Sequence, residues 1–309
     1  MSVAAPALAP TGTPARPVVS RPPGSRPRWL AAVMNRFVVN AVLVLAVLYT
    51  FLPVTWLLFA ATKDRQDLVR TSGFWFGTVR IAENIQATFA FEDGIIWRWL
   101  LNSAVYAIGG AALAAFIALL GGYAFDKFTF PGKNKLFGLV LTATMIPATV
   151  LAMPTYLLAS EVGATNTYSV IIVVSVFASL PFGLYMGRVF SSTHVPNEIV
   201  EAARVDGASE FMIFLRVALP MMRSPYLTLF LLTFNGIWND FYTPLLMLSD
   251  HMLYPLSLGI YGWFKEATAH PGLYPMVMVG SVISLIPVVA LFLSLQKYWK
   301  SGLTTGALK

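Results

Sequence analysis

The chain has 309 residues, of which 57% are hydrophobic and 11% charged, and its formal net charge is +7. A soluble domain carries roughly 25% charged residues, so a water-facing surface cannot be built here and the bulk of the chain must face lipid. With no cysteine and three histidines far apart (His194, His251, His270), disulfide frameworks, thiolate nucleophiles and the usual metal-ligand spacings are excluded.

Residues 1–28 contain seven prolines, four arginines and no acid. Such a segment cannot pack a core and is expected to be a disordered tail. Six stretches free of charge follow: Phe37–Thr62, Trp99–Phe125, Leu136–Ser160, Val162–Gly187, Ser224–Asn239 and Ala267–Gln296. A helix needs about 20 apolar residues to cross a bilayer. The fifth stretch is cut at Asp240 but continues apolar through Phe241–Ser249, and reads as one span with an ionisable residue inside it. The expectation is an all-α membrane protein with six transmembrane helices.

Between the first two spans, Lys63–Arg98 balances five basic against five acidic residues and carries Phe74, Trp75, Phe76, Phe89, Phe91 and Trp97. These aromatics fit either an interfacial belt or a contact with an external protein. In the second span Gly110, Ala114, Ala118 and Gly122 recur every four residues, a small-residue face of the kind that lets membrane helices approach closely. Chance in an alanine-rich helix is the competing explanation. Prolines 147, 154, 181, 244 and 287 fall in the later spans, where they free backbone carbonyls.

A polar island runs from Arg188 to Arg223. Pro196 opens a helix there, with Glu198 and Glu201 near its positive end. Ala202 and Ala203 keep one face thin, Gly207 permits a turn, and a second helical stretch spans Phe211–Ala218 before Pro220. An ordinary charged loop and a compact docking surface both fit this pattern. Asp240 lies 15 residues past Pro225, about 20 Å along a helix. A carboxylate there marks a pathway, satisfies a broken helix near Pro244, or sits at the outer interface of a tilted span. Trp238 and Asn239 beside it are suited to stack on and hydrogen-bond a sugar. With the first residue inside, 15 basic residues fall on the inner side and 6 on the outer. Both termini and the island are therefore expected in the cytoplasm. The positive charge is chiefly this topology signal, and no nucleic-acid recognition fold accompanies it.

Glu201-Ala202-Ala203, Gly207 four residues later and Val217-Ala218-Leu219-Pro220 after nine more resemble the EAA loop of ABC-importer permeases. Asp206 and Ala208 give the Asp-Gly-Ala form typical of sugar importers. Val217 stands where isoleucine is frequent. Asn102-Ser103, Tyr123-Ala124-Phe125, Met145-Ile146-Pro147, Trp238-Asn239-Asp240-Phe241 and the Gly302–Lys309 end extend the resemblance over about residues 30–309. The chain resembles the maltose-type six-helix permease subunit of carbohydrate ABC importers.

That resemblance implies a type I ABC importer permease fold in the bacterial cytoplasmic membrane. Its parts would be a cytoplasmic tail (1–28), a first helix with an extracytoplasmic loop (29–98), a core of five helices (99–297) with the EAA loop at 188–223, and a C-terminal tail (298–309). It implies a docking surface for a separate ATPase made of Glu198, Glu201, Ala202, Ala203, Asp206, Gly207, Ala208, Leu219 and Pro220, and a substrate path near Trp238, Asn239 and Asp240. The implied partners are two ABC ATPase subunits, which use ATP and magnesium, a second homologous permease, an extracytoplasmic solute-binding protein and the lipid bilayer. No cofactor, metal or nucleic acid is expected on this chain, and no catalysis. The alternative is a secondary transporter or channel for a small polar solute, which would need more membrane ionisable groups than Asp240.

Overall fold

A computed structural model describes residues 28–304, with side chains for 36–296. The chain divides into two units at Pro53/Val54, and the scaffold described below belongs to the second. Most of the tail expected at 1–28 and the last five residues lie outside the described residues. Among those described there is no strand.

The helices are α1 (Arg28–Ala61), α2 (Arg65–Arg70), α3 (Ile81–Ala90), α4 (Ile95–Lys127), α5 (Lys133–Ala143), α6 (Ala148–Glu161), α7 (Tyr168–His194), α8 (Asn197–Val205), α9 (Glu210–Ile213), α10 (Leu219–Met221), α11 (Arg223–Asn239), α12 (Tyr242–Met247), α13 (Leu256–Glu266) and α14 (Leu273–Thr304). The long helices α1, α4, α7 and α14 each cross as single rods by length and apolarity. The other two expected spans are broken. The pair α5–α6 bends by 102° and the segment Glu210–Met221 meets α11 at 81°.

The breaks have local causes. Before Pro147 the N–H groups of Thr144, Met145 and Ile146 bond three residues back instead of four, a tightened end that the proline then closes, because its ring drives the preceding residue out of the helical region. Ahead of Pro220 the chain takes a π turn over Phe214–Ala218, with Leu219 N–H reaching back to the Phe214 carbonyl. Pro220 has no N–H to continue the ladder. The fifth span does not continue through Asp240 as the hydropathy implied. α11 ends at Asn239, Asp240 is extended (ψ 121°), and its carboxylate accepts the N–H groups of Tyr242 and Thr243 to start α12. The C-terminal helix also runs to Thr304, through much of the expected tail.

The α4–α7 pair is the spine. A Cβ at Gly122 would lie 2.2 Å from the Gly187 carbonyl carbon, one at Gly187 would lie 2.2 Å from the Ala118 carbonyl oxygen, and one at Gly183 would meet the Ala118 methyl at 2.8 Å. The backbones therefore touch, as small faces allow in a membrane. Gly110, at the other end of the same stripe, instead makes room for Ile237 of α11.

At the far end of α4, polar side chains clasp the segment between α12 and α13. Trp99 Nε1 donates to the His251 carbonyl, and Asn102 Nδ2 to those of Met252 and Tyr254. Tyr106 donates to the Leu253 carbonyl, and Leu256 N–H donates to Ser103 Oγ. Tyr168 of α7 donates to Asn102 Oδ1 at 2.6 Å. The stretch 250–266, polar at first sight, thus holds a buried helix. Leu256, Leu258 and Trp263 are buried, and Gly259 lets the Trp99 ring lie against α13. Of the aromatics in 63–98, Phe91 packs edge-on against Trp263, whereas Phe74, Trp75 and Phe76 stay exposed.

Gly122→Val is expected to push α4 from α7, since backbone cannot yield as a side chain does. The cost is about 1–3 kcal/mol or more, read as a lower midpoint of heat-induced aggregation in detergent. Gly138→Ala, inside α5 where nothing lies within 4 Å, should not lower the midpoint and should raise it slightly, since alanine suits a helix interior better than glycine.

Candidate functional site

At the α8 end of the bundle the sequence dictates an outward-standing helix. Pro196 precedes α8 in an extended conformation (ψ 143°). Val195 and Val200 are buried in a cluster with Leu119, Tyr123, Ile213, Phe214 and Met222. That burial turns Glu198, Glu201, Ala202 and Val205 outward, all exposed and on one face of the helix. The surface so made is acidic at its positive helix end, which the helix dipole favours, and apolar at its other end, where Val205 is 88% exposed.

The stop of α8 is a Schellman turn. Gly207 has φ +79°, its N–H bonds to the Arg204 carbonyl, and Ala208 N–H reaches back to the Ala203 carbonyl. These two bonds satisfy the last carbonyls of the helix. Ala203 and Ala208 lean on the buried cluster, and Asp206 stays exposed. Across the turn Arg204 holds Glu210 through two bonds of 2.7 and 3.2 Å, which raises the guanidinium pKa further above its ordinary value. Both side chains are largely solvated, so the pair shapes the turn more than it stabilises it. Leu219 and Pro220 sit at the elbow instead of on α8: Leu219 packs on the buried cluster and Pro220 is exposed.

The membrane part holds a cavity of about 1280 Å³ between α4, the α5–α6 bend, α7 and α11–α12. Its wall is mostly apolar, with the carboxylates Glu161 and Asp240, the amide Asn239 and several hydroxyl side chains, among them Ser175, Thr233, Tyr242 and Thr243, as polar points. Asn239 and Asp240 thus line one space. Asn239 Nδ2 donates to the Asn235 carbonyl, and the Asp240 carboxylate is engaged at the start of α12. Trp238 is not part of that lining. It is buried, donates from Nε1 to the Ser284 carbonyl of α14 and stacks on Phe234 at 5.6 Å. An indole so placed joins helices, and its direction was not readable from its neighbours in the chain. Tyr242, Thr243 and Ser175 are among the polar lining residues that sequence reasoning missed, because each reads as an isolated polar group in an apolar span.

Among the described residues no three His, Asp or Glu side chains gather as metal ligands.

A sequence-family model described as "Binding-protein-dependent transport system inner membrane component" matches residues 118–304. Curated relatives include the Arabinooligosaccharides transport system permease protein AraQ of Bacillus subtilis, 30% identical over 86% of this chain and 93% of that protein. The Lactose transport system permease protein LacG of Rhizobium radiobacter is 28% identical over 85% of this chain and 93% of its own length. Among solved structures, a chain of a bacterial ABC transporter involved in the import of the acidic polysaccharide alginate superposes with a TM-score of 0.73 at 20% identity, covering 90% of this chain and 99% of that one. A second, the alginate transporter in complex with alginate pentasaccharide-bound periplasmic protein, gives 0.59 at 16% identity over 87% of this chain and 96% of that one. The structural likeness carries the fold.

Gly207→Val forces a branched side chain into the left-handed region, at about 1–2 kcal/mol. Amide exchange at Ala208 should then rise about tenfold. Gly207→Asn, which tolerates that region, should exchange nearly as the parent does.

Proposed function

The chain belongs to the family of binding-protein-dependent transport system inner membrane components, a family of transport permeases and not of enzymes, and on that premise we propose that it is the six-helix permease subunit of an ATP-driven importer of a sugar, oligosaccharide or related carbohydrate. The observation that carries the coupling part is the α8 surface. A short helix is anchored from beneath by Val200, stopped by Gly207, and presents Glu198, Glu201, Ala202 and Val205 to whatever lies beyond the bundle. Chemically, that surface fits a cleft with an apolar floor and a basic rim, supplied by an ATPase subunit. Two such subunits would use ATP and magnesium, and a homologous second permease would complete the pore with this chain. The relatives AraQ and LacG are named for oligosaccharide and lactose transport, which supports a sugar as the solute, delivered by an external binding protein.

In this reading α8 lies in the cytoplasm with both termini. The helix ends and short helices at its end of the bundle carry Lys133, Lys135, Arg188, Arg204, Arg216 and Arg223, the basic enrichment of an inner face. The solute passes along the cavity, where Asn239, Asp240 and Tyr242 offer hydrogen bonds and an aromatic face. Trp238 supports this path only by fixing α11 to α14.

Two outcomes test the proposal. Glu201→Lys should leave the amount of chain in the membrane unchanged and lower ATPase co-purification by about tenfold or more, the consequence of reversing a charge at an interface; undiminished co-purification overturns docking through α8. Asp240→Asn keeps an oxygen to start α12 but removes the charge. It should slow uptake of the sugar with co-purification intact. If Asp240→Asn transports normally and only Asp240→Ala suffers, by the roughly 1 kcal/mol of a lost cap, Asp240 is a cap and not part of the path.

A further inference from the structure

A buried ionic knot joins the inner ends of α4 and α7 to the first residue of α8. Lys127, the last residue of α4, has a side chain only 5% exposed. Its ammonium donates to the Val195 carbonyl at 2.6 Å and to Asn197 Oδ1 at 2.7 Å, and it lies 2.9 Å from Asp126 Oδ2. Two of its protons are thus engaged in hydrogen bonds and the charge is paired with Asp126. Val195 closes α7 and Asn197 opens α8. The same Asp126 oxygen accepts the hydroxyl of fully buried Ser191, on the last turn of α7. One cation and one carboxylate thus bind three helix ends at one point, directly beyond the Gly122–Gly187 backbone contact.

On the other side the attachment of α8 is of a different kind. Its turn to α9 carries the solvated Arg204–Glu210 pair and Gly207, and the path to α11 runs through a π turn and an 81° elbow, with apolar packing of Ala203, Ile213, Phe214 and Met222 in place of ionic ties. The polar ties on this side are weak: a solvated ion pair is worth little, and π turns interrupt the helical ladder. The Lys127 side chain, 5% exposed, paired with Asp126 and bonded to the Val195 carbonyl, is held more firmly, since losing either of these partners leaves a charge that water reaches poorly.

We propose that Lys127 is a positioning residue that pegs the root of α8 to the α4–α7 pair, so that a force on α8 moves these three helices as one body while the connection to α11 bends. The role of α8 as the surface that receives the force rests on the docking reading above; the peg itself does not.

The native chain has no cysteine, so spin labels can be placed at Ile199→Cys on α8 and Leu101→Cys near the opposite end of α4, both exposed, separated by about 40 Å of helix. The pulsed-EPR distance is read on the full chain in lipid nanodiscs, alone and with its ATPase subunits before and after ATP–vanadate trapping. The parent should give one narrow distribution that trapping does not shift. Lys127→Met should broaden it about twofold by stranding Asp126 and freeing Val195 and Asn197, and trapping should then move its centre. Asn197→Ala, at the surface and removing one acceptor, should lie between the two. The peg is overturned if Lys127→Met and Asn197→Ala remain as narrow as the parent, or if trapping shifts the parent distance itself. Failure of the ATPase to co-purify with the unlabelled, cysteine-free parent would count against docking alone, because the widths without nucleotide still decide the peg.

Discussion

The structure depends first on the approach of α4 to α7 through Ala118, Gly122, Gly183 and Gly187. In lipid there is no hydrophobic gain from putting two apolar helices together, so the pair must be held by close van der Waals contact and by polar groups that have nowhere else to bond. Four small residues supply the first. They bring backbone against backbone over the inner half of both helices, and that proximity sets where every side chain beyond it can reach.

The polar groups at the two ends of this pair then act in different ways. Toward Trp99 the partners are neutral: Asn102, Ser103, Tyr106 and Trp99 meet the backbone of 251–256, so a non-helical stretch is satisfied by side chains of α4. Irregular backbone at such a place is tolerated only when it is buried in protein and fully bonded. Asn166, itself in the left-handed region, does the same for the end of α12 by accepting the N–H groups of Ser249 and Asp250. At the α8 end the partners are charged, Asp126 and Lys127, and what they hold is the start of a helix that stands outside the bundle.

How much of this the sequence displayed depended on whether a feature is periodic. The stripe Gly110, Ala114, Ala118, Gly122 was visible because a spacing of four is a helix face. Its complement Gly183 and Gly187 was not, since it is only two residues set among Phe182, Tyr185 and Met186. The island was plain because charges are rare here, and the stop at Gly207 follows from one residue whose backbone needs are known. Breaks were misjudged for the opposite reason. Hydropathy averages over a span, so the turn at Met145–Pro147 and the extended residue Asp240 read as kinks or intrusions in continuous helices, although backbone geometry divides both. Trp238 was misplaced because its amphipathic ring suits a path and a core equally, and only the Ser284 carbonyl decides between them.

The break at Asp240 also divides the cavity wall between two supports. α11 rises from Met222, which is buried in the same cluster as Val200 of α8, whereas α12 is tied through Asn166 and Met247 to the loop that leads into α7. Asp240 sits between them, with its carboxylate on α12 and its carbonyl accepting Ser257 Oγ from α13. A continuous helix would have carried any tilt of its inner end straight to its outer end. A chain that is broken here gives the two parts of that wall separate attachments. Asn239, Asp240, Tyr242 and Thr243 sit together at the break, whereas the other polar groups of the cavity lie on α6, α7 and the body of α11.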